Sequence, residues 1–456
     1  MMNAEAARPL WSSRLMFLMA TIGAAVGLGN IWKFPYTAGV SGGGAFVICY
    51  IGAIAGVALP VLVAELMIGR RGRRGPVGSI TAVAAQSGAR SAWRAIGWLN
   101  VVAVFVILSF YSVIAGWALA YLPKFASGAF RGADAGAVDA SFRRLLDAPV
   151  EMMLWHGAFI LITAVVVARG LDRGIERAVG ALMPALFAML LLLVLYAGIV
   201  GDFAAAARFL FMPDFTRLSS EVLLSAVGQA FFSASVAMGL TIAYGSYMRT
   251  QDGIVNAAAV VIVADTLVAI VAGLAIFPLV FANDLDPAEG PGLIFMTLPL
   301  AFAQMPAGSA FGALFFLLLI FAALTSSIAI IETVISPLTE GLGLKRMTAT
   351  CLVSVAAWLL GLVTVLSFNV WSDVHPLAFF DRFAGKTPFD LLDYAATNVM
   401  LPLGGVLIAL FAGWAVSRAE ARDELRRASP AIFGAWRILI RFLVPLLLAA
   451  VLISGL

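Results

Sequence analysis

The chain has 456 residues, 62% of them hydrophobic and only 12% charged, about half the charged share of an ordinary soluble domain. Its formal net charge of +4 comes from basic residues in loops between apolar runs, which excludes a nucleic-acid-binding module and points to orientation in a bilayer. Two cysteines in apolar runs and two histidines exclude a disulfide framework and leave little for a His-based metal centre.

Apolar segments recur at about 15–45, 44–68, 96–123, 153–169, 178–200, 221–247, 253–282, 308–338, 348–368, 390–416 and 436–455. They predict an all-α polytopic membrane protein of about 11 transmembrane helices, one transmembrane domain over 1–456, with no soluble domain. The run after Arg14 is too long for a cleavable signal and reads as a permanent span. Within it, TIGAAVGLGNIWKFP (Thr21 to Pro35) carries Gly23, Gly27, Gly29, Asn30 and Lys33. Gly23 and Gly27 fit a G-x-x-x-G packing face between helices. The third glycine and the asparagine fit a helix that breaks and exposes polar backbone, tolerated at membrane depth only beside protein or a wet cavity. Spacing leaves both readings open.

Helix two ends VAELMIGRRGRRG, where Glu65 is either an intramembrane anchor or an interfacial acid reaching for the basic loop. Helix three carries a lone Tyr111, and helix five opens RGIERAVGALMP, with Gly174 and Pro184 marking a weak point. Helix six, AVGQAFFSASVAMGLTIAYGSY, groups Gln229, Ser233, Ser235 and Gly239 around a Phe pair; its small residues from Ser233 to Ala237 are a natural place to unwind. Interruptions five spans apart indicate an inverted repeat with a site between its halves. The expected limits are about 11–200 and 220–416, with an extra helix at about 434–456.

Asp265 in helix seven is an expensive acid unless a cation or proton neutralises it. In helix eight, Thr325, Ser326 and Ser327 either bond back to their own helix or supply hard oxygens to an alkali cation. The apolar piece LIFMTLPLAFAQM is too short to cross, and Asp390 and Asp393 sit at the start of helix ten. One set of alternating loops holds roughly twenty of the 29 Lys+Arg, which makes it cytoplasmic and puts the N-terminus inside.

Together GAAVGLGNIWKFPY, GGGAF (42–46), GQAFFSASVAMG, YGSY (244–247), LTSSIAI (324–330) and FDLLDY (389–394) resemble the neurotransmitter:sodium symporter family, its bacterial amino-acid transporters in particular. The resemblance runs from Arg8 to the end of helix eleven. It implies a sodium-coupled importer working by alternating access in the cell membrane, the inner membrane of a bacterium, and not an enzyme. It also implies a small amino-acid substrate, no nucleic-acid partner, and a monomer or weak homodimer. A sensor or non-coupled carrier on the same scaffold is the alternative.

By resemblance, two sodium ions bind. The first would meet the Ala25 carbonyl, Asn30, Ser233 and Asp265; the second the Gly23, Val26 and Ala322 carbonyls with Thr325 and Ser326. The substrate would lie against Ala24, Ala25, Leu28, Gly29, Tyr111 and Ser233, its side chain among Ile107, Phe232, Ser235, Met238, Ser326 and Ile330. Lys33 and Asp393, with Gln229, would close the outer side over a Tyr111–Phe232 lid. Arg8 and Glu340, supported by Ser246 and Tyr247, would close the inner side, and Glu65 would brace helix six. Lys33 stands where relatives often have Arg, Glu340 where Asp is usual, and Asp265 where chloride-dependent relatives have Asn, so chloride is not expected to be required. Met238, in place of an aromatic ring, suits a hydrophobic substrate, aromatic ones included.

Overall fold

The computed structural model describes residues 9–287 and 292–455. Among them, nine helices are long and apolar enough to cross a membrane, and the bent pair Arg14–Ala25 and Gly29–Val40 makes a tenth. The broken pair Ser220–Ser233 and Leu240–Gly245 falls in the chain where the sixth apolar run was expected. We number the spans in chain order: span 1 (Arg14–Ala25 and Gly29–Val40), span 2 (Gly44–Gly72), span 3 (Ser91–Ala126), span 4 (Pro149–Ala168), span 5 (Leu171–Val200), span 6 (Ser220–Ser233 and Leu240–Gly245), span 7 (Ile254–Ala282), span 8 (Gly308–Glu340), span 9 (Arg346–Ser367), span 10 (Pro388–Ala415) and span 11 (Pro430–Gly455). The protein is all-helical, as the apolar runs require.

Helix starts follow local chemistry. Pro149, Pro388 and Pro430 open spans 4, 10 and 11 at the position where a missing N–H costs nothing. Thr387 and Asp390 form a reciprocal capping box at the start of span 10, which gives Asp390 a structural role. Spans 3 and 8 run unbroken and pack along each other, and span 1 lies against span 8. The piece too short to cross is a helix over Leu293–Gln304, fastened when the Tyr121 hydroxyl donates to the Phe295 carbonyl at 3.0 Å. Phe295 stacks on Phe142 at 5.5 Å.

Candidate substrate and ion site

Span 1 stops at Ala25, where Val26 turns to an extended conformation (φ −69°, ψ 106°), and resumes at Gly29 with a 51° change of direction. Both readings of the glycines are realised together. A Cβ at Gly23 would come within 2.9 Å of Met183 Sδ and 3.1 Å of Thr325 Cβ; one at Gly27 would meet Ser326 Oγ at 2.6 Å and the Tyr111 hydroxyl at 3.0 Å. Close packing on span 8 therefore holds the broken backbone in place. The freed groups find partners: Leu28 N–H donates to the Tyr111 oxygen at 3.3 Å, and Gly27 N–H to Asn30 Oδ1 at 3.2 Å. Gln229 Nε2 donates to the Gly29 carbonyl at 2.9 Å, and Ser235 Oγ to that of Ala24 at 3.2 Å.

Span 6 breaks differently. Between Ser233 and Leu240 the backbone visits the left-handed region three times, at Ser235 (φ 49°), Ala237 (φ 60°) and Gly239 (φ 72°). Only the last is a glycine, and a left-handed residue with a Cβ costs about 1–2 kcal/mol. The fully buried Glu65 carboxylate accepts from Gly239 N–H at 3.2 Å and from the Thr241 hydroxyl at 2.6 Å. Glu65 therefore faces the break, away from the basic loop.

Two oxygen-rich clusters flank the span 1 break. In one, the Asn30 amide donates to Ser233 Oγ at 3.0 Å, to Asp265 Oδ1 at 2.7 Å and to the Asp265 carbonyl at 3.1 Å. Ser233 Oγ donates to Asp265 Oδ2 at 2.8 Å. All three residues are fully buried, so the carboxylate has left water and depends on these donors or on a cation. Tyr50, which the sequence reading missed, joins the cluster with its hydroxyl 2.9 Å from Ser233 Oγ. In the other cluster, Ser326 Oγ spans to the Gly23 and Val26 carbonyls at 3.4 Å each. Thr325 Oγ1 bonds back to Phe321 and Ala322 in its own helix at 3.2 and 3.0 Å. Among the described residues no cluster of three His, Cys, Asp or Glu could hold a transition metal. Carbonyls, hydroxyls and one carboxylate are the ligands of a hard cation.

Between the clusters lies a small cavity of about 30 Å³ lined by Ala24, Ala25, Gly27, Leu28, Gly29, Ile107, Tyr111, Phe232, Ser235, Met238, Leu240, Ser326 and Ile330. Gly27 and Leu240 were not anticipated. Ser233 was expected here, but its side chain turns into the Asp265 cluster. The volume suits one or two waters, so the site is closed down around itself. Phe232 also lines an outer vestibule of about 390 Å³ together with Lys33 and Gln229. A single ring thus separates that vestibule from the cavity.

The residues expected at the gates lie on two sides of the cavity. Lys33 Nζ lies 4.1 Å above the Phe232 ring, near enough to Asp393 to feel its charge but in no direct ion pair with it. On the opposite side a vestibule of about 1190 Å³ is lined by Arg73, Glu332, Glu340 and Arg346 among others. Arg8 lies outside the described residues. Glu340 accepts from Gly75 N–H at 2.8 and 3.0 Å, and the Ser246 hydroxyl donates to the Ala243 carbonyl at 2.5 Å. The Tyr247 hydroxyl donates to Glu332 Oε1 at 2.5 Å, where Arg346 also binds with both terminal nitrogens. Glu332 was missed, although an acid in the apolar run IIETVIS carries the same signal as Glu65 and Asp265. Trp11 caps this side, donating to the Tyr244 carbonyl at 3.1 Å and packing edge-on against the Tyr244 and Tyr247 rings.

Comparison with known proteins bears on this geometry. The profile of the sodium:neurotransmitter symporter family matches residues 8–130 and 146–456. The chain is 38% identical over 447 residues to the uncharacterised sodium-dependent transporter YhdH of Bacillus subtilis, covering 97% of each. It is 32% identical over 460 residues to an uncharacterised sodium-dependent transporter of Haemophilus influenzae, covering 98% of each. The fold is similar to that in a crystal structure of MhsT in complex with L-phenylalanine, with a TM-score of 0.90, 38% identity, and coverage of 98% of this chain and all of that one.

Proposed function

The chain belongs to the sodium:neurotransmitter symporter family, and from that premise we propose that it imports a hydrophobic L-amino acid, aromatic ones included, coupled to two sodium ions. It is a sodium-dependent symporter and membrane protein, not an enzyme. The observation that carries the finer reading is the juxtaposition of the Asn30–Ser233–Asp265 cluster with a cavity lined by Ile107, Met238 and Ile330 among others. In this reading the first sodium takes the Ala25 carbonyl, Asn30, Ser233 and Asp265. The second takes the Gly23, Val26 and Ala322 carbonyls with Thr325 and Ser326. The substrate carboxylate meets the Leu28–Gly29 backbone and Tyr111 beside the first ion, so that each ligand raises the other's affinity. That a related fold carries L-phenylalanine supports the substrate class. Phe232, Met238 and Leu240 give way to admit the side chain; methionine is the most adaptable of the three.

The fixed charge of Asp265 makes chloride unnecessary. The Arg-rich loops, with the N-terminus, face the cytoplasm, two inverted repeats of about 11–200 and 220–416 rock about the site, and the unit is a monomer or weak homodimer. Uptake of labelled L-phenylalanine and L-leucine into proteoliposomes tests this. Accumulation with an inward sodium gradient, unchanged when gluconate replaces chloride, is expected. Displacement of label by glycine alone refutes the substrate class, and loss of uptake without chloride refutes the role given to Asp265.

A further inference from the structure

At the Arg-rich end of spans 10 and 11 the charges do not balance. Glu420, Asp423 and Glu424 turn towards span 2, where Glu424 pairs with Arg70 at 2.7 Å and Glu420 with Arg71 at 3.2 Å. That leaves Arg437 with the charges of Arg441 and Arg418 nearby, and none of the three has an acidic partner within ion-pair distance among the described residues. Arg437 Nη1 and Arg441 Nε are buried and lack any hydrogen-bond acceptor. A desolvated guanidinium donor without an acceptor is costly, and like charges beside it raise the cost.

The place is built rather than incidental. Arg441 lays its stem on Gly413, where a Cβ would come within 2.9 Å of Cγ, and its guanidinium sits 4.0 Å above the Trp414 ring. The Trp414 indole donates back to the Arg441 carbonyl at 3.2 Å. Both helices take a π-helical turn where they meet, over Phe411–Ala415 and Leu439–Leu443, a distortion often kept at functional sites. The rim is apolar and uncovered: Trp414, Ile438 and Phe442 are more than half exposed. An exposed Trp at a helix end marks headgroup level.

We propose that this surface binds the phosphate of an anionic phospholipid, with Arg437 and Arg441 donating to its oxygens, Arg418 adding charge, and Trp414, Ile438 and Phe442 lying along the glycerol and first acyl carbons. The phosphate accepts from the outward N–H groups of the same two guanidiniums and offsets the charge that Arg441 and Arg418 place beside Arg437. A freely dissolved anion supplies the charge but leaves the apolar rim uncovered, which is why the lipid is the favoured source.

The test uses the full-length protein in nanodiscs of phosphatidylcholine, with or without phosphatidylglycerol, reading lipid retention by native mass spectrometry and the thermal midpoint. Wild type is expected to retain phosphatidylglycerol selectively and to unfold at a higher temperature in its presence. Arg437→Gln with Arg441→Gln is expected to retain several-fold less and to lose the shift, whereas the exposed pair Arg426→Gln with Arg427→Gln keeps both. If the first double variant does not fold, Arg437→Gln alone reads the same site. Equal retention by wild type and the Arg437 variants overturns the proposal, and so does an equal thermal shift from inorganic phosphate in phosphatidylcholine discs.

Discussion

Span 1 loses its helix between Ala25 and Gly29, span 6 between Ser233 and Leu240, and the two breaks are held by opposite means. In span 1 none of the residues takes a left-handed conformation, and fixation comes from side chains that close on the freed groups: Tyr111 on Leu28, Asn30 on Gly27, Ser326 on Gly23 and Val26. In span 6 two residues bearing a Cβ sit in left-handed conformations and one buried carboxylate gathers the loose donors. A break held from many sides can offer its carbonyls as a rigid set of ligands. A strained break braced mainly by one carboxylate is better suited to changing shape.

That contrast can be broken from either end. The largest effect is expected from Asn30→Ala, which removes the amide that donates to Ser233 and Asp265 and leaves a buried acid short of partners, a loss on the order of 3 kcal/mol. Sodium affinity should fall about two orders of magnitude, checked by the sodium dependence of substrate binding. Glu65→Ala strands the Gly239 N–H and the Thr241 hydroxyl, a cost of about 1–3 kcal/mol. Thermal melting should show it, and Glu65→Gln, which keeps an acceptor, should recover part of the loss. Gly27→Ala drives a Cβ into Ser326 Oγ, and overpacking of this kind costs about 1–3 kcal/mol. Adding Ser326→Ala should return part of the melting temperature but not the substrate affinity. The smallest effect is expected from Ala237→Gly. Relief of the left-handed strain, about 1–2 kcal/mol, outweighs glycine's added unfolded freedom, about 0.5–1 kcal/mol, so melting should rise slightly. If Ala237→Gly instead destabilises as much as Glu65→Ala, the strain assigned to span 6 is not there.

Much of the architecture was legible because bilayer thickness and backbone satisfaction leave few choices. The apolar runs mark each span, and Gly23, Gly27, Gly29 and Asn30 mark the first break. Acids in apolar sequence gave Glu65 and Asp265, and the same rule would have given Glu332 had it been applied throughout. Other features had no signal in one dimension. Tyr50 reaches the Asp265 cluster only because span 2 crosses beside span 7, and Leu240 lines the cavity only because span 6 unwinds just before it. The outer gate shows a second limit. Sequence supplies opposite charges on Lys33 and Asp393, but the Phe232 ring, not the carboxylate, is the direct neighbour of the ammonium.

The central claim is that sodium and substrate share one site through Asn30 and Asp265. The most direct test is equilibrium binding of labelled L-phenylalanine to the purified protein across a sodium titration, with potassium holding ionic strength constant, for wild type and Asn30→Ala. The account predicts that wild-type affinity rises steeply with sodium and that the variant's barely responds. Equal wild-type affinity in sodium and potassium would contradict it.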